Sequence, residues 1–412
     1  MFRKLFSLDA DLTQRVFGLD LLRAIAILIV VEAHSTMAFG SYFEPSFFRF
    51  FIPNGVELFF VLSGFLIGGI LIRLFEKHQQ INGSIILNFW TRRWFRTLPN
   101  YYFVLGGIVI ISLLRAWRSG LQHTLPPKET LGRYFFFLQN FNQPMPGFFG
   151  ESWSLAIEEW SYLVLPVLLF LCYRLLPASW PRQRIVLTTI LLVILGTNLY
   201  RFIIARQVPI AEGEINIYWM VLTRLDAIAY GVLVAYLRHY YPAFWRDRVR
   251  QRWLLGLGII CTLLVTFTAS PYVLGYYFNW GIYPDYVFYK RTFCFPLTGL
   301  SMGMLLPYLD NWRQSRGWFA KGVTHISLIS YSMYLLNLTP IMGLVIERIA
   351  TTSLTVGWLK VGLFWLLVIS LSTLLFKYFE KPATELRDRL TPKEPVSTPG
   401  GVAADIPASK AA

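Results

Sequence analysis

Membrane-length apolar segments recur along this 412-residue chain and constrain its fold more than any other feature. A helix that crosses the hydrocarbon core of a bilayer needs about 20 consecutive, mainly apolar residues. The segments have that length, so the sequence predicts an all-α, polytopic integral membrane protein with about ten transmembrane helices. The predicted spans are 19–39, 53–74, 97–115, 153–175, 183–204, 219–237, 252–269, 287–308, 322–348 and 355–379.

The composition agrees with a membrane protein and marks one end of the chain as different. Hydrophobic residues make up 55% of the sequence and aromatic residues 17%, and the mean hydropathy is +0.49. Such values exceed those of soluble domains and suit aromatic belts at membrane interfaces. Residues 391–412 are rich in Pro, Ala, Ser and Gly and lack aromatic residues, so they are predicted to be a disordered tail. Residues 1–390 then form one transmembrane domain.

The formal net charge of +15 is distributed as an orientation signal and not as a nucleic-acid-binding surface. Basic residues concentrate in short loops that join alternate pairs of apolar segments, as the positive-inside rule describes for cytoplasmic loops. The segment 116–152 breaks this alternation, but long loops count less in the rule. The sequence therefore predicts a multi-pass protein of the plasma (inner) membrane with both termini cytoplasmic, in contact with the lipid bilayer and with no nucleic-acid partner.

The first predicted span carries Arg23 and His34 on one helix face. Eleven helical steps return His34 to within ~20° of the direction of Arg23 and move it ~16 Å along the axis. Ionisable groups inside a bilayer are costly and by default mark a functional site. The alternative for His34 is a structural histidine bonded to a neighbouring helix. For Arg23 it is a snorkelling cation beside Asp20.

Carboxylates enter other spans from the same predicted outer side. Glu57 begins the second span at a depth similar to that of His34, where it is expected either to orient the imidazole or to complement a helix dipole. Glu158 and Glu159 lie one turn inside the fourth span. Neighbours on a helix diverge by ~100°, so only one of the two can face a given site. Tyr162 shares the face of Glu158 and is a possible hydroxyl partner for that carboxylate.

Later spans and one loop contribute further polar residues. Arg224 and Asp226 lie near the outer end of the sixth span, and Asn337 lies in the ninth, where Pro340 is expected to free backbone groups. The predicted cytoplasmic start of the third span carries three arginines, Arg92, Arg93 and Arg96. They are either positive-inside anchors or a phosphate clamp, since guanidinium groups match phosphate oxygens bidentately.

These polar residues sort into two predicted layers. The inner, cationic layer consists of Arg23, Arg92, Arg93 and Arg96. The outer layer holds acid-base groups: His34, Glu57, Glu158, Arg224 and Asp226. The sorting suggests an anionic ligand that enters from the cytoplasm and proton chemistry nearer the outside.

Six short motifs occur in order over roughly residues 15–388, and together they resemble the acyltransferase-3 family of integral membrane acyltransferases. Each motif is weak singly, whereas six in order are specific. They are the pair Arg23…His34 and the segments Gly55–Ile67, Arg92–Pro99, Trp153–Tyr162, Ser330–Leu336 and Phe379–Pro382. Asn337 lies where many members of this family carry histidine.

The resemblance implies an enzyme of polysaccharide O-acetylation in the cell envelope. Members move acyl groups, commonly acetyl from acetyl-CoA, to hydroxyls of extracytoplasmic or lipid-linked glycans. It implies acyl-CoA as co-substrate, a carbohydrate acceptor and no metal. His34 would act as general base on the acceptor hydroxyl, with Glu158 and Glu57 as the other catalytic residues. The CoA phosphates would meet the inner arginines, that is, Arg23, Arg92, Arg93 and Arg96.

Five residues are assigned to the acceptor side of this expected site: Trp153, Tyr162, Arg224, Asp226 and Asn337. The rival hypothesis is a transporter or flippase for a lipid-linked or anionic substrate. Polar residues near the membrane midplane and broken helices suit a transporter. The absence of an inverted sequence repeat opposes that hypothesis.

Overall fold

The computed structural model describes residues 15–42, 54–78, 82–119, 125–207, 215–269 and 284–390. The regular structure of these residues is entirely helical. The predicted tail, residues 391–412, lies outside them. The first eight α-helices are α1 (Phe17–Ser35), α2 (Gly55–Lys77), α3 (Gly83–Ser119), α4 (Lys128–Phe135), α5 (Ser152–Leu175), α6 (Arg182–Gln207), α7 (Ile215–Trp219) and α8 (Leu225–Tyr240).

The second half of the described chain contains shorter and more broken helices. The remaining α-helices are α9 (Pro242–Arg246), α10 (Arg248–Ala269), α11 (Pro284–Thr292), α12 (Cys294–Gly303), α13 (Leu306–Asn311), α14 (Trp318–Leu336), α15 (Leu354–Leu375) and α16 (Lys381–Leu390). Tighter or wider helical turns occur at Thr36–Tyr42, Gly147–Phe149, Asn337–Gly343, Ile346–Arg348 and Phe376–Glu380.

Several of these helices can cross a membrane, which confirms the prediction of an all-α, multi-pass membrane protein. Within the described ranges, seven helices are long and apolar enough to span a bilayer, and a pair bent by 46° between 286 and 311 would make an eighth. The predicted count of about ten is not confirmed. Two predicted spans coincide with helices that fall short: α1 carries Asp20, Arg23 and Glu32, and α8 has 16 residues.

Glycine residues allow α2 and α8 to touch at the centre of the molecule. A Cβ atom built on Gly64 would lie 2.0 Å from the carbonyl oxygen of Ile228, and one built on Gly231 would lie 2.1 Å from that of Val61. Small residues recur at membrane helix interfaces because they bring backbones into van der Waals contact. Gly64, in the second motif, is therefore a close helix contact.

The helices that carry the conspicuous polar residues lie in the interior. Helices α1, α2, α5, α8 and α14 pack against one another, and they bury large apolar side chains such as Phe60, Ile157 and Met333 completely. In contrast, α10 exposes a row of apolar side chains including Ile260 and Leu264, as expected for a helix that faces lipid. The charged residues of the central helices thus sit where an unpaired charge would be most costly.

The regular α-helix α14 ends where the sequence predicts a disturbance. The segment Asn337–Gly343 is π-helical and contains Pro340, which lacks an amide hydrogen and whose ring conflicts with the carbonyl one turn earlier. The amide and hydroxyl of Thr339 donate to the carboxylate of Glu151, at 3.0 and 2.5 Å. Glu151, just before α5, therefore anchors the segment that begins with Asn337.

Candidate active site

Three arginines line a cavity between α1, α2, α3, α5 and α14. Its volume is about 100 Å³. We call it the arginine cavity and define it by its polar lining residues: Arg23, Ser63, Arg93, Arg96, Thr97, Ser154, Glu158, Ser330, Tyr331 and Tyr334. The side chain of Arg96 is exposed, whereas those of Arg23 and Arg93 are half-buried. Arg92, which was predicted to bind the same ligand, does not line this cavity.

Glu158 is the carboxylate of the arginine cavity. It accepts hydrogen bonds from the hydroxyls of Ser63 at 3.1 Å and of Tyr162 at 3.2 Å. Glu159 is buried outside the cavity, and Thr97 donates to it at 2.8 Å. The two carboxylates therefore diverge as the helical geometry predicts, and the pairing of Glu158 with Tyr162 is observed.

The predicted separation into two layers does not hold for Glu158 and Tyr162. Glu158 was assigned to the outer layer, but it faces the same space as Arg93 and Arg96, which act on it electrostatically. Tyr162 was assigned to the acceptor side, but its ring lies 4.4 Å beneath the guanidinium of Arg93. Glu158 is six residues into α5, and that distance of ~9 Å along the axis takes it away from the N-terminal end of the helix, which was predicted to be the outer one.

Arg23 combines the two roles that the sequence left open. It lies beside Asp20, at 3.4 Å, and it also lines the arginine cavity. Arg15 donates to the same carboxylate at 2.7 Å, so Asp20 is shared by two cations. Ser327 of α14 donates to Asp20 at 2.8 Å and accepts from Arg23 at 3.3 Å. Arg23 is thus held at the edge of the cavity by a carboxylate and a hydroxyl.

His34 is held by Asn337 in a defined orientation. Its Nδ1 is hydrogen bonded to Oδ1 of Asn337. The amide nitrogen of Asn337 donates to the carbonyl oxygens of Tyr334, at 2.7 Å, and Met333, at 3.0 Å. Because the amide hydrogens are committed, Oδ1 must accept and Nδ1 of His34 must carry the proton. The Nε2 lone pair of His34 is then available as a base.

The imidazole of His34 lies close to the arginine cavity without lining it. Tyr334 lines the cavity, and Asn337, which holds His34, follows Tyr334 by three residues, a rise of ~4.5 Å. The hydroxyl of Tyr334 is bonded to Ser154 at 2.5 Å and donates to the carbonyl of Glu151 at 2.9 Å. Tyr334 therefore connects the cavity to the His34–Asn337 pair through one face of α14.

Glu57 does not orient His34, contrary to the expectation from depth alone. It forms an ion pair with Arg224, and both side chains are buried. Asp226 pairs with Arg201, which is also buried and to which the sequence reading gave no role. We call these four residues, Glu57, Arg201, Arg224 and Asp226, the ion-pair cluster. The signal that could have revealed Arg201 is the need of a buried Asp226 for a counterion.

The residues assigned to the acceptor side do not form one site. Trp153 packs against Phe60 and Tyr218, with ring centroids 6.0 and 5.0 Å away, and Tyr218 also lies beneath the guanidinium of Arg224. Trp153 and Arg224 are therefore neighbours, and Asp226 lies in the same cluster. Tyr162, in contrast, belongs to the arginine cavity, and Asn337 belongs to His34.

The last motif supplies a carboxylate for which the sequence gave no role. Glu380 accepts hydrogen bonds from Ser332 at 2.6 Å and from Asn100 at 3.0 Å, and it acts electrostatically on Arg96. It therefore joins α3 and α14 to the helical turns Phe376–Glu380 that follow α15. These contacts give the last motif a role, because they place Glu380 where its charge acts on Arg96.

Comparison with known proteins identifies relatives that are named as O-acetyltransferases. The chain is 28% identical to O-acetyltransferase OatA of Staphylococcus aureus (strain NCTC 8325) over 251 residues, which are 59% of this chain and 38% of that protein. It is 31% identical over 161 residues to peptidoglycan O-acetyltransferase OatA of Listeria monocytogenes, 37% of this chain and 24% of that protein. With putative peptidoglycan O-acetyltransferase YrhL of Bacillus subtilis it shares 31% identity over 163 residues, 37% of this chain and 23% of that protein.

These matches cover well under half the length of each relative, and no solved structure matches the chain. The acyltransferase-3 family model, described as an acyltransferase domain, matches residues 16–377. That range contains the arginine cavity, the His34–Asn337 pair and five of the six motifs. Since the model covers most of the chain, this protein belongs to the acyltransferase-3 family.

Proposed function

We propose that this protein is a membrane O-acetyltransferase that moves an acetyl group from acyl-CoA to a hydroxyl of an extracytoplasmic or lipid-linked glycan. The names of its relatives support the reaction, since they are O-acetyltransferases, and the class of acceptor, since the Listeria monocytogenes relative is named for peptidoglycan. The observation that carries the proposal is the position of His34. His34 is bonded through Nδ1 to Asn337, which lies one helical turn from the cavity residue Tyr334, and its Nε2 has no hydrogen-bond partner among the described residues.

The donor would bind in the arginine cavity. Arg23, Arg93 and Arg96 outnumber the one carboxylate, Glu158, so the cavity attracts an anionic ligand such as acyl-CoA. Guanidinium groups also donate hydrogen bonds to a developing negative charge, which favours a transition state with charge on the thioester oxygen. Glu158, fixed by Ser63 and Tyr162, would keep the guanidinium of Arg93 directed toward the ligand.

His34 would act as the general base. Its Nε2 would take the proton of the acceptor hydroxyl while the hydroxyl oxygen attacks the thioester carbonyl. The carbon–sulfur bond then breaks, and the CoA thiolate leaves and takes up a proton. Asn337 supports this role because a neutral acceptor on Nδ1 fixes the tautomer and the ring orientation. Glu57 would act indirectly, by holding Arg224 beside the aromatic rings around Trp153.

We further propose that the arginine cavity opens toward the cytoplasm and that both termini are cytoplasmic in the inner membrane. The distribution of basic loops supports this orientation. Single cysteines introduced at exposed Arg118 and at exposed Arg248, in a parent whose three native cysteines are replaced, should label differently from outside intact cells. Residue 118 should react and residue 248 should not, and the reverse pattern would invert the proposed path of the acetyl group.

The experiment that tests the proposed function is transfer by His34→Ala in purified, membrane-reconstituted protein. Acetyl-CoA and soluble peptidoglycan fragments serve as donor and acceptor, and released CoA and acetylated product are both measured. General-base catalysis is worth about 10²- to 10⁴-fold, so the transfer rate should fall by at least about 100-fold. The matched control is His325→Ala, because His325 is also half-buried and is bonded to Thr373 of α15, outside the cavity.

The same assay addresses the rival hypothesis. A transporter or flippase would move its substrate without releasing CoA from acetyl-CoA. If the wild type releases no CoA, or if His34→Ala transfers acetyl at the wild-type rate, the proposed mechanism is wrong. Loss of folded protein in His34→Ala would instead show that the bond to Asn337 is structural, and His34→Gln, which preserves polarity and approximate size, then separates folding from catalysis.

A further inference from the structure

A second cavity, of about 330 Å³, opens beside the start of α1 and the segment that leads into α14. We call it the basic groove and define it by Arg15, Asp20, Arg313, Arg316, Lys321 and Thr324. It contains four cations and one carboxylate, and that carboxylate, Asp20, is already bonded to Arg15. Arg313, Arg316 and Lys321 are exposed, and their side chains have no hydrogen-bond or ion-pair partner within the described ranges.

The backbone around the basic groove is fixed by hydrogen bonds. The amides of Phe17 and Gly18 donate to the carbonyls of Arg313, at 3.1 Å, and Trp312, at 2.9 Å. The chain then turns at Gly317, whose φ of +97° is in the region that favours glycine, and α14 begins without a side-chain cap. The first turn of α14 lines the groove, so its N-terminal dipole adds to the field of the cations.

One face of α14 lines both the basic groove and the arginine cavity. Thr324 lines the groove, Ser327 bonds to Asp20, and Tyr331 and Tyr334 line the arginine cavity. Intervals of three and four residues place these side chains on one helix face. The first and last of them are separated by ~15 Å along the axis. The Asp20 carboxylate, bonded to Arg15 on one side and Arg23 on the other, lies between the two spaces.

We propose that the basic groove is a phosphate-binding site and that it takes the nucleotide phosphates of the acyl donor. This inference rests on the proposed function and reassigns the phosphates from Arg23, Arg93 and Arg96 to the groove. Acyl-CoA carries its charged nucleotide at one end of a long, uncharged arm and its thioester at the other. Pockets for ligands of that size have volumes of about 300–1,000 Å³, so the arginine cavity, at about 100 Å³, fits only the arm and the thioester.

The charges around the two spaces also favour phosphates in the basic groove and the arm in the arginine cavity. A net positive groove with exposed guanidinium groups attracts phosphate oxygens and can bind them bidentately. The arginine cavity is smaller and is lined by Tyr331 and Tyr334 as well as by its arginines, which suits the arm and a thioester whose oxygen gains negative charge in the reaction. A donor that spans both spaces would place its thioester near Tyr334, one helical turn from the Asn337 that holds His34.

The test is equilibrium binding of CoA and of pantetheine, which lacks the nucleotide, to the purified full-length protein. The groove variant is Arg313→Ala with Arg316→Ala, and the matched control is Arg248→Ala with Arg252→Ala, which removes two exposed arginines from α10. The groove variant should lose about tenfold or more in affinity for CoA, because charge-assisted bonds to phosphate are removed. Its affinity for pantetheine, and both affinities of the control, should stay at the wild-type values.

Two results would overturn the inference. CoA affinity equal to that of the wild type in the groove variant would exclude the groove from donor binding. If that variant instead loses the stabilisation that phosphatidylglycerol nanodiscs give the wild type, while it binds CoA normally, the groove takes a phospholipid headgroup. The failure of the proposed function itself is distinguishable, because the wild type would then bind no CoA before any variant is compared.

Discussion

Two groups of arginines and carboxylates lie on neighbouring helices of this protein. In the ion-pair cluster, Glu57 pairs with Arg224 and Asp226 pairs with Arg201, so each cation has one anion. All four side chains of the cluster are buried. In the arginine cavity, by contrast, Arg23, Arg93 and Arg96 share the space with Glu158 as the one lining carboxylate. The first group is electrically balanced, whereas the lining of the second carries three cations to one anion, and its further carboxylates, Asp20 and Glu380, act on Arg23 and Arg96 from outside the lining.

This difference in charge balance distinguishes a group of residues that holds the helices together from a group that can bind a ligand. A buried ion pair satisfies itself and holds its helices in a fixed arrangement, although it adds little net stability. A group with surplus cations around a space can lower its free energy by binding an anion. Residue type alone does not distinguish the two groups, since both contain arginines and carboxylates inside predicted spans. The number of carboxylates that share a space with the arginines does.

The largest effect should come from breaking the ion-pair cluster. Glu57→Gln leaves Arg224 buried without its anion, so the free energy of unfolding in detergent micelles should fall by about 3–5 kcal/mol. The donor affinity of the protein that remains folded should be unchanged. The double variant with Glu57→Gln and Arg224→Met should recover most of the stability, because no charge is left unpaired. A single variant as stable as the wild type would remove the distinction between the two groups.

The next effect tests which carboxylate belongs to the arginine cavity. Glu158→Gln removes the charge that faces Arg93, whereas Glu159→Gln changes a buried carboxylate bonded to Thr97. Glutamine preserves volume and hydrogen bonding, so the comparison isolates charge. Glu158→Gln should lower kcat/KM for acetyl transfer by about 100-fold and Glu159→Gln by less than about tenfold. Equal losses would indicate that both residues act through the packing of α5.

Relationships within one helix could be predicted from the sequence. The divergence of Glu158 from Glu159 and the bond between Glu158 and Tyr162 follow from the helical repeat alone. The disturbance at Pro340 follows from its missing amide hydrogen. Each of these inferences required only the helical repeat or a rule about a single residue type, and none required knowledge of the neighbouring helices.

Relationships between helices could not be predicted in the same way. Hydropathy and loop charge place a residue at a depth in the membrane, but they do not say which neighbouring helix it faces. Glu57 and His34 were therefore assigned to one site, although Glu57 faces Arg224 and His34 faces Asn337. The basic groove was missed for the same reason. It brings Arg15 together with Arg313 and Arg316, which lie about 300 residues later in the sequence. Taken singly, each of these arginines fits the positive-inside pattern of a cytoplasmic loop.

The smallest predicted effect is the difference in donor affinity between substitutions of Arg92 and Arg93, two adjacent arginines to which the sequence assigns the same role. Arg93 lines the arginine cavity and stacks on Tyr162 at 4.4 Å, whereas Arg92 lies outside the cavity. Arg93→Ala should weaken binding of acetyl-CoA and of acetyl-pantetheine by about tenfold each, because charge-assisted bonds in the arm region contribute about 1.5–3 kcal/mol. Arg93→Lys should restore only part of the affinity, since an ammonium provides charge without the planar fork or the stacking surface. Arg92→Ala is the matched control and should change either affinity by less than about twofold, because Arg92 does not line the cavity. Equal losses in Arg92→Ala and Arg93→Ala, measured by equilibrium binding, would show that a diffuse positive field attracts the donor and that the lining of the cavity does not select it.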